Sequence, residues 1–234
     1  MALPGAPGAA GATGSGGGRR VRSGGGGLAG GLPGPGAAGG GGEGAGADRA
    51  PQRPPRIHVM AGRVPLGTDR AAVAGEMETT FIENLKYTAD LLSQEDMIGL
   101  LEPINNRITD PRYYLNTPHQ AAAILEKVGR PNLKLQLDLF HCQIMDGNLS
   151  RNLETYFPLI GHIQIAQVPG RHEPDSPGEV NFPYIFELLE SLGYTGYVGC
   201  EYAPTGDTLE GLGWLRSYWE SRGLQHGGTS KAAK

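Results

Sequence analysis

The chain reads as an α/β fold of the (β/α) TIM-barrel type, incomplete at about five of eight βα units, behind a Gly-rich N-terminal tract. Three observations predict it. From residue 56 onward, strand-like runs alternate with helical stretches. The runs recur at a spacing of about 35 residues, which suits right-handed βα crossovers in a parallel sheet. Within the runs, apolar and polar residues alternate, whereas strands of a sheet covered on both faces read as continuous apolar stretches.

The N-terminal tract fails every requirement for a core. Of 39 glycines in the 234 residues, 21 fall within residues 1–50, and no aromatic residue precedes Phe81. Such a segment buries too little apolar surface to offset its ordering entropy, so residues 1–54 are expected to be disordered. Arg19, Arg20 and Arg22 do not make a transit peptide, because an amphipathic helix does not form among so many glycines. The folded part is then 55–223, long enough for one core, and the polar residues 224–234 form a flexible tail.

The first strand is expected in "RIHVMAG" (56–62), followed by a helix over 69–92. The second lies in "MIGLLEP" (97–103) and leads to a helix over 118–128, with Thr117 as cap, Pro118 in the first turn, and Gly129 and Pro131 as the stop. The third, "LKLQLDLFH" (133–141), precedes a shorter helix over 149–157. The fourth, "GHIQIAQVP" (161–169), is followed by a helix over 182–192. The fifth, "GYVGCEY" (196–202), is followed by a helix over 208–222 that opens with Asp207 and, three residues later, Glu210.

The alternation selects a barrel. In the third run the leucines at 133, 135, 137 and 139 share one face while Gln136 and Asp138 share the other; in the fourth, Ile163 and Ile165 oppose His162 and Gln164. An apolar face for helices and a polar interior near the C-terminal strand ends are what a βα barrel requires. The alanines at 121–123 and the tyrosines at 113 and 114 read as packing.

Residues 51–234 carry 16 basic and 22 acidic side chains, without a clustered basic face, so nucleic acid is not an expected partner. No apolar run of about 20 residues suggests a membrane span. Cys142 and Cys200 sit in apolar surroundings, which places the chain in a reducing, cytoplasmic setting.

The last inward-facing polar residues of four consecutive strands are Glu102, Asp138, Gln164 and Glu201. In a parallel sheet they converge on one end, where βα enzymes place their sites. Three crowded carboxylates raise one another's pKa unless a cation holds them. Four oxygen donors favour a hard divalent ion, Mg2+ or Mn2+, while His141 or His162 nearby keeps Zn2+ open. A strand-end acid taken singly is more often a cap or a rim charge; four in register outweigh that reading. His58 and His141 are equally well read as satisfied polar residues, and Arg171 in "VPGRHEP" as a loop charge or a bidentate carboxylate clamp.

"HVMAGRVP", "LLEPIN", "LDLFHCQIMDGNL", "GHIQIAQVPGRHEP", "GEVNFPYIF" and "GYVGCEY" together resemble the hydroxypyruvate isomerase family, a branch of the xylose-isomerase-like βα barrels that also holds ketose epimerases and apurinic endonucleases. Six segments agree in order over residues 56–223. The resemblance implies that Glu102 and Glu201 are the catalytic acid/base pair and that Asp138 and Gln164 complete the ligand set of a divalent metal. It implies substrate contacts from His141, Arg171 and His58. Related epimerases have histidine where this chain has Gln164, so the isomerase branch is the better match. The implied reaction interconverts hydroxypyruvate, a small anionic hydroxy-keto acid, and tartronate semialdehyde (2-hydroxy-3-oxopropanoate) through a metal-stabilised enediolate.

The family has three βα units ahead of the strand matching "HVMAG", where this chain has its Gly-rich tract. The visible strands are then expected to be the fourth to the eighth, with two open sheet edges that invite association into a homo-oligomer. The competing expectations are a sugar epimerase or isomerase of the same fold, a metal-dependent nuclease, and a truncated barrel without activity.

Overall fold

A computed structural model describes residues 54–223; the tract expected to be disordered, apart from its last residue, and the tail at 224–234 lie outside the described residues. Strands β1 (Arg56–His58), β2 (Ile98–Leu101), β3 (Leu133–Asp138), β4 (Ile160–Ile165) and β5 (Val198–Cys200) form one parallel sheet in sequential order. Sequential order with every neighbour parallel is the connectivity of a βα barrel wall. Among the described residues, β1 and β5 are its edges.

The crossovers are helical where the caps dictate. Helix α1 (Arg70–Gln94) starts at Asp69, whose carboxylate accepts from the Ala71 N–H, and its buried Phe81, Leu85 and Ala89 recur every four residues to make one stripe. Helix α2 (Pro118–Val128) is capped by Thr117, which accepts from the Gln120 N–H, and ends at Gly129 in the left-handed conformation, φ 63°. Then come α3 (Leu139–Met145), α4 (Leu149–Tyr156), a 3-10 turn at Phe157–Leu159, and α5 (Phe182–Ser191). After β5, Asp207 caps α6 (Thr208–Gly211) by accepting from the N–H groups of Leu209 and Glu210, and α7 (Gly213–Ser221) completes the described fold.

Four sequence expectations need correction. The run 133–141 is not one strand: Asp138 caps a helix by accepting from the Phe140 N–H at 2.8 Å, so Leu139 belongs to α3 rather than to the strand face of Leu133. The helix expected over 208–222 breaks at Leu212 into α6 and α7. The end strands shrink to three residues each, as edges with one neighbour do. Cys200 is exposed on the β5 edge; only Cys142 is buried.

The alternation places the core. Leu101, Leu133, Leu135, Leu137, Ile163 and Ile165 are buried toward the helices, joining Phe81, Leu85, Ile124, Leu125 and Leu153 in one cluster. Each such side chain contributes about 1.5–3 kcal/mol by leaving water. The opposite face carries Leu100, Lys134, Gln136, Asp138, His162 and Gln164. Gly161 lies among them, and a Cβ there would stand 2.6 Å from Lys134 Cβ and 2.8 Å from Leu100 Cδ2, so glycine is what lets β3 and β4 stay paired. The polar face therefore rises along the strands into one cluster at their C-terminal ends.

Candidate active site

Strand β2 ends at Leu101, and Pro103 prevents its continuation, so Glu102 projects from the strand tip. Asp138 is the last residue of β3, in register with Gln164 of β4, and is held there as the cap of α3. Glu102 and Asp138 are almost fully enclosed, at 4% and 2% relative exposure, as is His141 at 2%. Ligand atoms of Glu102, Asp138 and His141 all lie within 4.8 Å of one another. Glu201, just beyond β5, is the open side of the cluster, with its side chain 48% exposed.

Two glutamines and a guanidinium tie these groups together. Gln136 Nε2 donates to Glu102 Oε2 at 2.8 Å and to Gln164 Oε1 at 2.5 Å, linking β2, β3 and β4. Arg171 Nη2 lies 3.0 Å from Glu201 Oε2 and 3.5 Å from Asp138 Oδ2, and its guanidinium carbon sits 4.8 Å from the centre of the Phe140 ring. Arg171 takes a positive φ of 56°, and its backbone is fixed on both sides: its N–H donates to Gln167 O, and its carbonyl accepts from the Ala203 N–H. Gln167 anchors that loop, with Oε1 accepting from the Val168 and Val180 N–H groups and Nε2 donating to the Pro174 and Val180 carbonyls.

The electrostatics follow from burial. Desolvation, then the charges of Asp138 and Glu201, push Glu102 up to about 8 despite Arg171 and Gln136. Desolvation also pushes Asp138 up to about 7, opposed by the Phe140 N–H and by Arg171. The same burial, with Arg171 nearby, lowers His141 to about 3, so its ring is neutral; His58 is also lowered, burial again first. His58 Nδ1 lies 3.4 Å from Glu102 Oε2, and His141 Nε2 lies 3.7 Å from Glu102 Oε1 and 3.5 Å from Asp138 Oδ2.

Glu102, Asp138, Gln164, Glu201, His58, His141 and Arg171 gather at this end of the sheet, while His162 lies one step lower on β4, in register with Gln136. Three further participants had no assigned role. Gln136 was legible as an inward residue two positions before Asp138, and its function as a bridge emerges only in three dimensions. Asn105 and Gln167 act through loop contacts that no strand or helix period announces. Two buried carboxyl groups, with an amide oxygen beside them and a third carboxylate opposite, form a donor set that a hard divalent cation fits, since its charge would offset the desolvation and the mutual repulsion that raise both groups.

Residues 54–218 match the family described as xylose isomerase-like TIM barrel, and the chain belongs to it. Within that family it is 67% identical over 174 residues to the Homo sapiens protein named "Putative hydroxypyruvate isomerase", a match covering 74% of this chain and 63% of the relative. It is 48% identical over 163 residues to the 2-oxo-tetronate isomerase of Cupriavidus necator, covering 70% of this chain and 60% of that protein. Among solved structures, it resembles an AP endonuclease, family 2, from Brucella melitensis, with a TM-score of 0.63 and 47% identity over 70% of this chain and 60% of that one. The chain thus spans less than two thirds of these relatives. Among the described residues, no helix is long and apolar enough to cross a membrane.

Proposed function

We propose that the site isomerises a 2-oxo-3-hydroxy carboxylic acid to its 2-hydroxy-3-oxo partner, with hydroxypyruvate giving 2-hydroxy-3-oxopropanoate as the simplest case. The observation that carries this reading is the pair of carboxyl groups, one enclosed and raised to about 8 (Glu102) and one open (Glu201), close enough that the charges of Asp138 and Glu201 both act on Glu102. Hydroxypyruvate and 2-oxo-tetronate, the compounds in two relatives' names, both carry a 2-oxo group beside a C3 hydroxyl.

One carboxylate removes the C3 proton as the electron pair of the broken C–H bond moves toward the C2 oxygen, giving a cis-enediolate. The other, as an acid, returns a proton at C2 while the C3 hydroxyl proton passes to the C2 oxygen, leaving the carbonyl at C3 and a hydroxyl at C2. Arg171 carries the positive charge for the substrate carboxylate, and the His141 ring faces the reacting oxygens as a neutral group. A divalent cation held by the oxygens of Glu102, Asp138, Gln164 and Glu201, Mg2+ or Mn2+ on that all-oxygen chemistry, would acidify the C3 proton and hold the developing charge.

Solvent-deuterium incorporation at C3 of hydroxypyruvate, measured with added Mn2+, tests the reading. Glu102→Gln and Glu201→Gln should each abolish it; full exchange in either variant sinks the assignment. The assay is run on this chain and on one preceded by three further βα units. The edges β1 and β5, unpaired among the described residues, favour a second reading, a sheet stabilised by self-association without turnover. Size-exclusion together with amide exchange separates the two, because a monomer with protected β1 and β5 amides excludes it.

A further inference from the structure

The His141 ring meets the carboxylates of Glu102 and Asp138 through Nε2, and its other nitrogen faces Asn105, whose Nδ2 lies 2.7 Å from His141 Nδ1. The orientation of the Asn105 amide is not free. Its Oδ1 accepts from the backbone N–H groups of Ile108 at 3.0 Å and Thr109 at 3.2 Å, so its NH2 must face Thr109 Oγ1, at 2.9 Å, and His141 Nδ1. Asn105 is fully buried, at 0% exposure, and its loop carries the further backbone bond from the Asp110 N–H to Asn105 O. Flipping the amide would set its NH2 against two N–H donors, each losing its acceptor inside the protein.

A neutral imidazole facing a donor at Nδ1 must accept there and carry its proton on Nε2. We propose that Asn105 is a positioning residue that fixes His141 as the Nε2–H tautomer, so that the imidazole enters the site as a hydrogen-bond donor and not as a metal ligand. Although Glu102, Asp138 and His141 lie close enough to hold an ion together, the proton on Nε2 removes the lone pair a cation would need. The metal-binding donors are thereby restricted to oxygens, which disfavours Zn2+, and the Nε2–H is left for an oxygen of the substrate. The inference rests on the proposed isomerase site for its functional meaning, but the tautomer is measurable without turnover.

The experiment uses the full chain labelled with 15N-histidine, with His141 assigned by loss of its signals in His141→Gln, and long-range 1H–15N correlation to tell protonated from bare ring nitrogens. Wild type should show Nε2 protonated, with or without stoichiometric Zn2+. Asn105→Asp keeps an oxygen for the Ile108 and Thr109 N–H groups but turns the other position into an acceptor, so the proton should move to Nδ1. The freed Nε2 should then raise affinity for Zn2+ relative to Mn2+ at least tenfold by calorimetry. Should Asn105→Asp fail to fold, Asn105→Ala carries the test: Zn2+ should draw Nε2 onto the metal in that variant and not in wild type. Protonation of Nδ1 in wild type, an unchanged tautomer in Asn105→Asp, or Zn2+ ligation by wild-type His141 would each overturn the inference. Loss of isomerase activity with the tautomer intact would instead count against the functional reading alone.

Discussion

Gln136 donates through Nε2 to Glu102 Oε2 at 2.8 Å, across the β2–β3 pairing, and both side chains are buried. Removing one partner of a buried hydrogen bond leaves the other unsatisfied, at a cost of about 1–3 kcal/mol. Gln136→Leu should therefore leave the fold intact, raise Glu102 further, and slow C3 deuterium exchange by about tenfold to a hundredfold. An unchanged rate in a folded variant would remove Gln136 from the site.

In the cation-free protein the folded values of Glu102, about 8, and Asp138, about 7, exceed those of an unfolded chain. The folded state holds these protons more firmly. The stability they contribute is complete below about pH 4 and is lost as pH rises through 7 and 8. The buried histidines, lowered instead, act in the opposite sense, but only below about pH 6.5, where an unfolded imidazole takes up its proton. Thermal midpoints of the cation-free chain should consequently fall between about pH 6.5 and 8.5, and saturating Mn2+ should flatten that slope. A level or rising midpoint without Mn2+ contradicts this account of the buried pair.

Arg171 offers its charge toward Glu201 and Asp138. Arg171→Gln should depress turnover of hydroxypyruvate by about tenfold or more while affecting a neutral ketose much less, because only the acid presents a carboxylate to the guanidinium. Equal losses on both substrates would assign Arg171 to the carboxylates alone.

The buried side-chain amide of Gln167 satisfies four backbone groups of the loop that carries Arg171. Gln167→Leu leaves those groups unpaired and should cost about 1–3 kcal/mol in urea unfolding. It should also raise KM for the anionic substrate more than it lowers kcat, since the damage is to the placement of Arg171. Gly178→Ala should do the same by another route, because a Cβ there would stand 2.3 Å from Gln167 Cγ. A stability loss with KM unchanged would separate the loop from substrate binding.

The architecture was legible because its causes are local. The period-two leucines at 133, 135 and 137 set the sheet faces, and Thr117, Gly129 and Asp207 act as the caps their positions announce. The end of β3 was not legible. Leu139 continues the apolar alternation, and only the bond from the Phe140 N–H to Asp138 shows that the chain has turned helical. The strand-tip acids could be found because register brings tips together, whereas Asn105 reaches His141 across 36 residues through a loop whose course no periodicity encodes.

The helix cap at Asp138 also rations oxygen atoms. Its Oδ1 is committed to the Phe140 N–H, and Glu102 Oε2 is committed to Gln136, so each residue has one oxygen left for the cluster: Asp138 Oδ2 and Glu102 Oε1. On the proposed reading, Asp138 Oδ2 and Glu102 Oε1 would join a Glu201 oxygen and the second lone pair of Gln164 Oε1, whose first accepts from Gln136, and an ion that prefers six oxygens would have two places over for the neighbouring oxygens of a 2-oxo-3-hydroxy acid. The turn that ends a strand thereby sets how many hands the site has free.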